Sequence, residues 1–260
     1  MRIRRRLPYC GGGGSLPPRL PQPPNLMRFH ERAGTYEANA APQRRFAEAL
    51  AAFAPFRAGS KVTELGAGTG FLTAALMAQG LQVSATDSSP AMVELGRESV
   101  PGARWSVHDA FGPVDAAPAL ASSGLLHWAA DPSAVLGHWH KALPENGRLL
   151  LGVPCDPCLC ELRDLVGEGP LRWRDEAQWL ALIRRARFDV RAHGVLESEE
   201  AYPSAIDLFR ALHRSGVTGA PRLGPGELRS LIADYDRLHN GPRGVTATWA
   251  WLLVDAVARG

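Results

Sequence analysis

A chain of 260 residues, 45% hydrophobic and 21% charged, lies in the ordinary globular range and has room for one or two domains of roughly 150 residues. Its longest apolar runs, such as residues 148–154, fall far short of the roughly 18 to 20 residues that a membrane-spanning helix needs, which excludes an integral membrane protein of helical type. The net charge of +3 is unevenly spread: Arg2, Arg4, Arg5, Arg6 and Arg19 all precede Met27, and without them the balance is −2. A body so charged has no general attraction for nucleic acid, because phosphate binding needs concentrated Lys and Arg. Cys155, Cys158 and Cys160 crowd one loop while Cys10 sits near the start, which is no disulfide framework for this length and predicts a reducing, cytoplasmic setting. Neither a second cysteine pair nor a nearby histidine completes a metal site around them, so no metal is expected.

In chain order, residues 1–26 hold six prolines, the run Gly11 to Gly14 and no acid. That composition buries too little apolar surface to fold. It predicts a disordered tail, or a gene-model extension with translation starting at Met27, ahead of a folded domain over 27–260. From Pro42, the spacing of Phe46, Ala49, Leu50 and Phe53 is helical. Residues 61–65 then read as a strand running into a glycine turn, 71–79 as a helix and 81–86 as a strand. Residues 90–99 read as a helix opened by Ser88 or Ser89 and Pro90, and 104–108 as a strand. Pro118 falls where a central strand is due and predicts an interruption there. A helix over 132–142 and a buried strand over 148–153 follow. Such alternation predicts an α/β fold: a mostly parallel sheet with helices on both faces. Helical patterns near 174–186, 203–214 and 225–238 change the character of the chain, and 246–257 closes it as a strand.

The chemistry concentrates at Glu64-Leu-Gly66-Ala67-Gly68-Thr-Gly70, between the first strand and the helix after it. Glycines there permit positive φ and let backbone amides approach a ligand, and the helix N-terminus behind them favours negative charge. A dinucleotide fingerprint would need a third glycine at position 71, where Phe71 stands. Asp87 ends the next strand and Asp109 the one after, so a parallel sheet brings all three acids to one edge. Asp87 is then placed to accept both hydroxyls of a ribose, and Asp109 to accept from an exocyclic amine of adenine. Capping of the following helices is the plainer reading of each Asp alone.

Residues 62–70 and 86–92 resemble the first two motifs of the class I S-adenosylmethionine-dependent methyltransferases. The resemblance implies a Rossmann-like fold with a seven-stranded sheet and a helical insertion on the substrate side. It further implies that Glu64, Gly66, Ala67, Gly68 and Gly70 border the methionyl part of the cofactor. Asp87, with Ser88 and Met92, would hold the ribose, and Asp109, Ala110 and Phe111 would surround the adenine. Residues 122–128, which include Ser122, Ser123 and His127, resemble the fourth-strand segment that faces the transferred methyl group. Residues 29–36, 40–43, 202–216 and 246–249 resemble the malonyl-acyl-carrier-protein O-methyltransferases of biotin synthesis. That family implies methylation of the free carboxylate of a malonyl thioester on an acyl carrier protein, by a monomer. Departures are the Cys155 to Cys160 loop and the absence of the family's glycine before Phe188.

An ionised carboxylate is already a competent nucleophile toward a sulfonium, so no general base is required. Tyr36 is read as a lid over cofactor or acceptor. His127, Arg210 and His213 are candidates to touch the acceptor, against solvated helix faces or a satisfied structural histidine as the bland reading. The tryptophans at 173, 179, 249 and 251 are read as packing. The alternatives are a methyltransferase for another small carboxylate or hydroxyl, separable by product mass, and a noncatalytic cofactor-binding partner protein, which would bind without turnover. A nucleic-acid methyltransferase is disfavoured because no Asn-Pro-Pro-Tyr segment follows the fourth strand.

Overall fold

A computed structural model describes residues 41–166, 173–215 and 224–260; the tail and Tyr36 lie outside them. The elements, in chain order, are α1 (Ala41–Phe53), β1 (Lys61–Leu65), α2 (Phe71–Ala78), β2 (Gln82–Asp87), α3 (Pro90–Ser99), β3 (Arg104–Val107) and β4 (Ala119–Ser123). A 3-10 turn (Leu126–Trp128) leads to α4 (Pro132–Ala142), β5 (Arg148–Pro154), α5 (Cys160–Val166) and α6 (Glu176–Arg185). Then come β6 (Phe188–Tyr202), α7 (Ala205–Arg214), α8 (Pro225–His239), β7 (Asn240–Gly241) and β8 (Gly244–Ala258).

Local chemistry sets many of these boundaries. Ser89, not Ser88, caps α3 by accepting from the Met92 N–H, with Pro90 in the first turn. Asp131 accepts from the N–H groups of Ser133 and Ala134 at the start of α4, and Asp175 and Gln178 form a capping box on α6. Such caps satisfy donors that the first helical turn leaves without partners. Pro118 does not interrupt a strand: β4 begins one residue later, so the missing N–H falls outside the ladder. The sheet has eight strands among the described residues rather than seven, because the two-residue β7 pairs with the start of β8. Strand β6, fifteen residues long, was not anticipated by pattern, since its half-exposed sequence lacks a strong apolar alternation.

The sheet order is β3-β2-β1-β4-β5-β8-β6, with β1 to β5 parallel and β8 antiparallel to both its neighbours. This is a Rossmann-like α/β architecture. Six of the seven residues of β5 are buried, as a strand covered on both faces requires. The strand order reverses between β1 and β4, which opens a crevice at their carboxyl ends.

Strand β8 extends beyond β5. Its pairing with β5 begins at Trp251 opposite Pro154, while its pairing with β6 starts at Val245. β7 pairs with β8 at 244 and 245, so over 246–250 one edge of β8 needs other partners, because buried backbone polar groups are rarely left unpaired. The Cys155 N–H donates to the Ala250 carbonyl, and the Leu159 N–H to that of Thr248. Glu161 on α5 accepts from both the N–H and the Oγ1 of Thr248, and the Tyr235 hydroxyl on α8 donates to the Thr246 carbonyl at 2.7 Å. The cysteine loop and the helical insertion are thus attached to the overhang.

Gly244 starts β8 at φ +94°, and a Cβ there would come within 2.2 Å of the Tyr202 carbonyl oxygen. Backbone strain and a clash with backbone would add. Gly244→Ala is expected to destabilise by about 2 to 4 kcal/mol, read as a lower midpoint in urea unfolding; a change below about 0.5 kcal/mol would contradict this account.

Candidate active site

The glycine turn is stitched to the end of β2. Ala67 N–H donates to the Thr86 carbonyl, Thr86 Oγ1 donates to the Glu64 carbonyl at 2.8 Å, and Gly68 N–H donates to Asp87 Oδ2 at 2.9 Å. Asp87 Oδ1 also accepts from the Ser89 N–H. Gly68 has φ +57° and no protein atom within 4 Å of where a Cβ would stand, so the backbone there is bare toward the crevice. Glu64 is 2% exposed and accepts from Thr73 Oγ1 at 2.5 Å. Burial pushes its carboxyl up to about 8, with Thr73 opposing and the Asp87 charge adding to the shift.

One continuous cavity joins this turn to the ends of β4, β5 and β8. Its first end is lined by Glu64, Gly66, Ala67, Gly68, Asp87, Ser88, Ser89 and Met92, and its second by Ser123, Gly124, Leu125, His127 and Trp128 after β4. Gln43 and Ala47 from α1, Phe71 and Leu72 from α2, and Pro154, Cys158, Leu159, Trp173, Ser215, Trp249 and Trp251 complete the wall. No lysine or arginine lines the cavity among the described residues. Arg163 stands beside Trp173, with its guanidinium 5.0 Å from that ring and paired with Asp156. Burial pushes the His127 imidazole down to about 3 and the Cys158 thiol up to about 12, so both are neutral near pH 7.

Several sequence candidates lie elsewhere. Gly70 caps α2, and a side chain there would meet Val100 and Trp105. Ser122 is fully buried and donates to the Leu65 carbonyl, bracing β4 on β1. Asp109, Ala110 and Phe111 do not line the cavity: Asp109 accepts from the Phe111 N–H, and the Ala110 carbonyl accepts from Trp139 Nε1. Arg210 and His213 are exposed on α7, Arg210 beside Asp207. The tryptophans pack as expected, Trp179, Trp249 and Trp251 in the core and Trp173 against it; Trp173, Trp249 and Trp251 line the cavity as well. Gln43 was missed as a cavity residue; its place in the segment 40–43 was the one available signal. Among the described residues no cluster of His, Cys, Asp and Glu could hold a metal, and no helix is long and apolar enough to cross a membrane.

The chain matches the methyltransferase domain family over residues 36–218. It belongs to that family. Membership brings S-adenosylmethionine as the methyl donor. The malonyl-[acyl-carrier protein] O-methyltransferase of Paenibacillus sp. (strain JDR-2) is 24% identical over 86% of this chain and 94% of its own length. A trans-aconitate 2-methyltransferase of Paracidovorax citrulli is 29% identical over 53% of this chain and 56% of its own. A methyltransferase structure from Bacillus halodurans superposes with a TM-score of 0.62 at 14% identity, covering 82% of this chain and 99% of its own.

The raised carboxyl of Glu64 makes stability depend on pH. Between its ordinary value of 4.5 and about 8, the folded state holds a proton that the unfolded state has lost. Glu64 therefore contributes stability that is complete below about pH 4.5 and is lost as pH rises toward about 8. In Glu64→Gln this part of the decline disappears. Urea unfolding of both forms at pH 5 and pH 8 tests it: parallel pH profiles would refute the assignment.

Proposed function

We propose that the chain transfers a methyl group from S-adenosylmethionine to the free carboxylate of a malonyl group carried on an acyl carrier protein, in the cytoplasm. The observation that carries the reading is the acceptor end of the cavity, which among the described residues offers no group able to remove a proton. His127 is far too weak a base and Cys158 far too weak an acid at neutral pH. Glu64 sits at the glycine turn bonded to Thr73, and Asp87 is engaged by two backbone N–H groups. An acceptor that arrives ionised suits such a site, whereas a hydroxyl needs a base within hydrogen-bond reach. The names of the relatives agree on chemistry: malonyl and trans-aconitate groups are both carboxylates, and the malonyl enzyme aligns over most of this chain.

The residues present fit the cofactor. The open space beside Gly68 would take its methionyl portion, with Glu64 and Ala67 bordering it, and the Asp87 carboxylate with Ser88 and Met92, in the same cavity wall, would hold the ribose. Asp109 to Phe111, next along the strand ends, would flank the adenine. When bound, S-adenosylmethionine supplies an electrophilic methyl on a positively charged sulfur. Transfer of that methyl to an oxygen already ionised would leave no proton for the chain to move. The chain's contribution is to hold the two reactants in line and exclude water from the carboxylate.

The experiment is mass spectrometry of malonyl-acyl-carrier protein incubated with the full chain and S-adenosylmethionine, beside trans-aconitate as a second acceptor. A methyl increment on the malonyl group is expected. Asp87→Ala is expected to lower the rate at limiting cofactor about 100-fold, as loss of a charged hydrogen-bonding group would. Methylation of trans-aconitate alone would move the assignment to small free acids, and turnover unaffected in Asp87→Ala would remove Asp87 from the cofactor site.

A further inference from the structure

Four cavity-lining side chains carry buried polar atoms that have no hydrogen-bond partner: Nε1 of Trp249, Nε1 of Trp251, both amide atoms of Gln43, and Nδ1 of His127. Trp249 and Trp251 differ in this from three other indoles. Nε1 of Trp105, Trp139 and Trp179 each donates to a backbone carbonyl. That of Trp249 lies near the Tyr202 hydroxyl without a well-formed bond. A buried N–H without a partner is a group whose satisfaction comes from something outside the chain, or is never met at all.

The Trp251 ring is also fixed in place. It stacks on Phe46 with centroids 5.0 Å apart and planes 11° from parallel. Its six-membered edge abuts Gly124, where an added Cβ would come within 2.7 Å. Its backbone pairs with Pro154 at the end of β5, and it is 4% exposed. Clamped on a face and an edge, the indole has little freedom left to lose, and its N–H is buried in the wall of the cavity that Gly124 and Pro154 also line.

We infer that Trp251 Nε1–H is the donor that holds the acceptor carboxylate, binding one oxygen while the other attacks. The inference rests on the carboxylate reading above. A neutral donor has a chemical advantage over arginine here. A guanidinium would pair both oxygens and draw off charge that the attack uses, while an indole N–H orients the carboxylate and leaves it anionic. With His127 neutral and no Lys or Arg in the described lining, the positive charge that faces the acceptor is the one on the methyl donor.

The test uses the full chain and whichever acid the wild type methylates. Trp251→Phe retains an aromatic ring on Phe46 and removes the N–H; benzothienylalanine placed at 251 alone keeps the bicyclic shape and replaces N–H by sulfur. Both are expected to lower kcat/KM for the acid about 10- to 100-fold, with cofactor Kd unchanged; the unfolding midpoint holds for the isosteric sulfur analogue and falls for Trp251→Phe, which leaves a gap in the core. Inhibition by the methyl ester product, which lacks the anion, should move much less than the KM of the acid. Wild-type turnover by the sulfur analogue, or equal losses of acid, ester and cofactor affinity, would overturn the role of Trp251 while leaving the function intact. A wild type that methylates no carboxylate overturns both.

Discussion

The overhang of β8 past the end of β5 is the constraint on which the acceptor half of the molecule depends. A strand inserted antiparallel between two others normally loses its edges, but here residues 246–250 keep one edge without a strand partner. Burying that edge without partners would be costly at each group. The chain meets the need with the Cys155 and Leu159 amides, the Glu161 carboxylate and the Tyr235 hydroxyl. Those same bonds bring Cys158, Leu159 and the helical insertion against the cavity, and they set Trp249 and Trp251 in its wall. Architecture and cavity are therefore one problem: what completes the sheet edge also walls the cavity.

The two ends of the cavity differ in charge. The end of β2 presents the Asp87 carboxylate, beside a Glu64 that burial keeps largely protonated near pH 7, whereas the far end presents indoles, an amide and a neutral imidazole. An acidic end suits a cofactor with a positive sulfur and an ammonium group. A carboxylate placed at the neutral end is attracted toward the cofactor and is not held back by a cation of the protein. In a site of low dielectric that attraction is stronger than in water, and the transfer consumes both charges. Removal of water thus favours the reaction in the direction of neutral products, with the side chains required to orient and exclude rather than to exchange protons.

Much of the cofactor half was legible in the sequence because its signals are local. Residues 61–99 carry a strand, a glycine turn, a capped helix and a strand-terminal acid in close succession, and each is decided by near neighbours. The acceptor half is assembled from residues about two hundred positions apart, as Gln43 and Trp251 are, and no spacing rule links them. A tryptophan in a strand buried on both faces reads as packing, and Trp251 does pack, on Phe46; only the tertiary register shows that its N–H is left over. Pro118 misled for a different reason. Proline forbids a ladder hydrogen bond at its own position, and a shift of one residue turns an interruption into a boundary.

The location of positive charge separates two ways of recognising an acid. Arg210, the sequence's natural candidate, lies exposed on α7 next to Asp207, and Arg163 is neutralised by Asp156 behind Trp173. An acid bound by either would be anchored by its counter-ion, and the same pairing would oppose the charge movement of the transfer. Neutral donors give up ground-state affinity and leave the transition state unhindered, which is the direction in which binding energy raises turnover rather than merely lowering KM. For a small malonyl group, the affinity so forgone must come from elsewhere on the substrate. A long arm and a carrier domain supply contacts remote from the reacting oxygen, so a substrate delivered on a carrier protein tolerates a weakly binding acceptor pocket better than a free acid does.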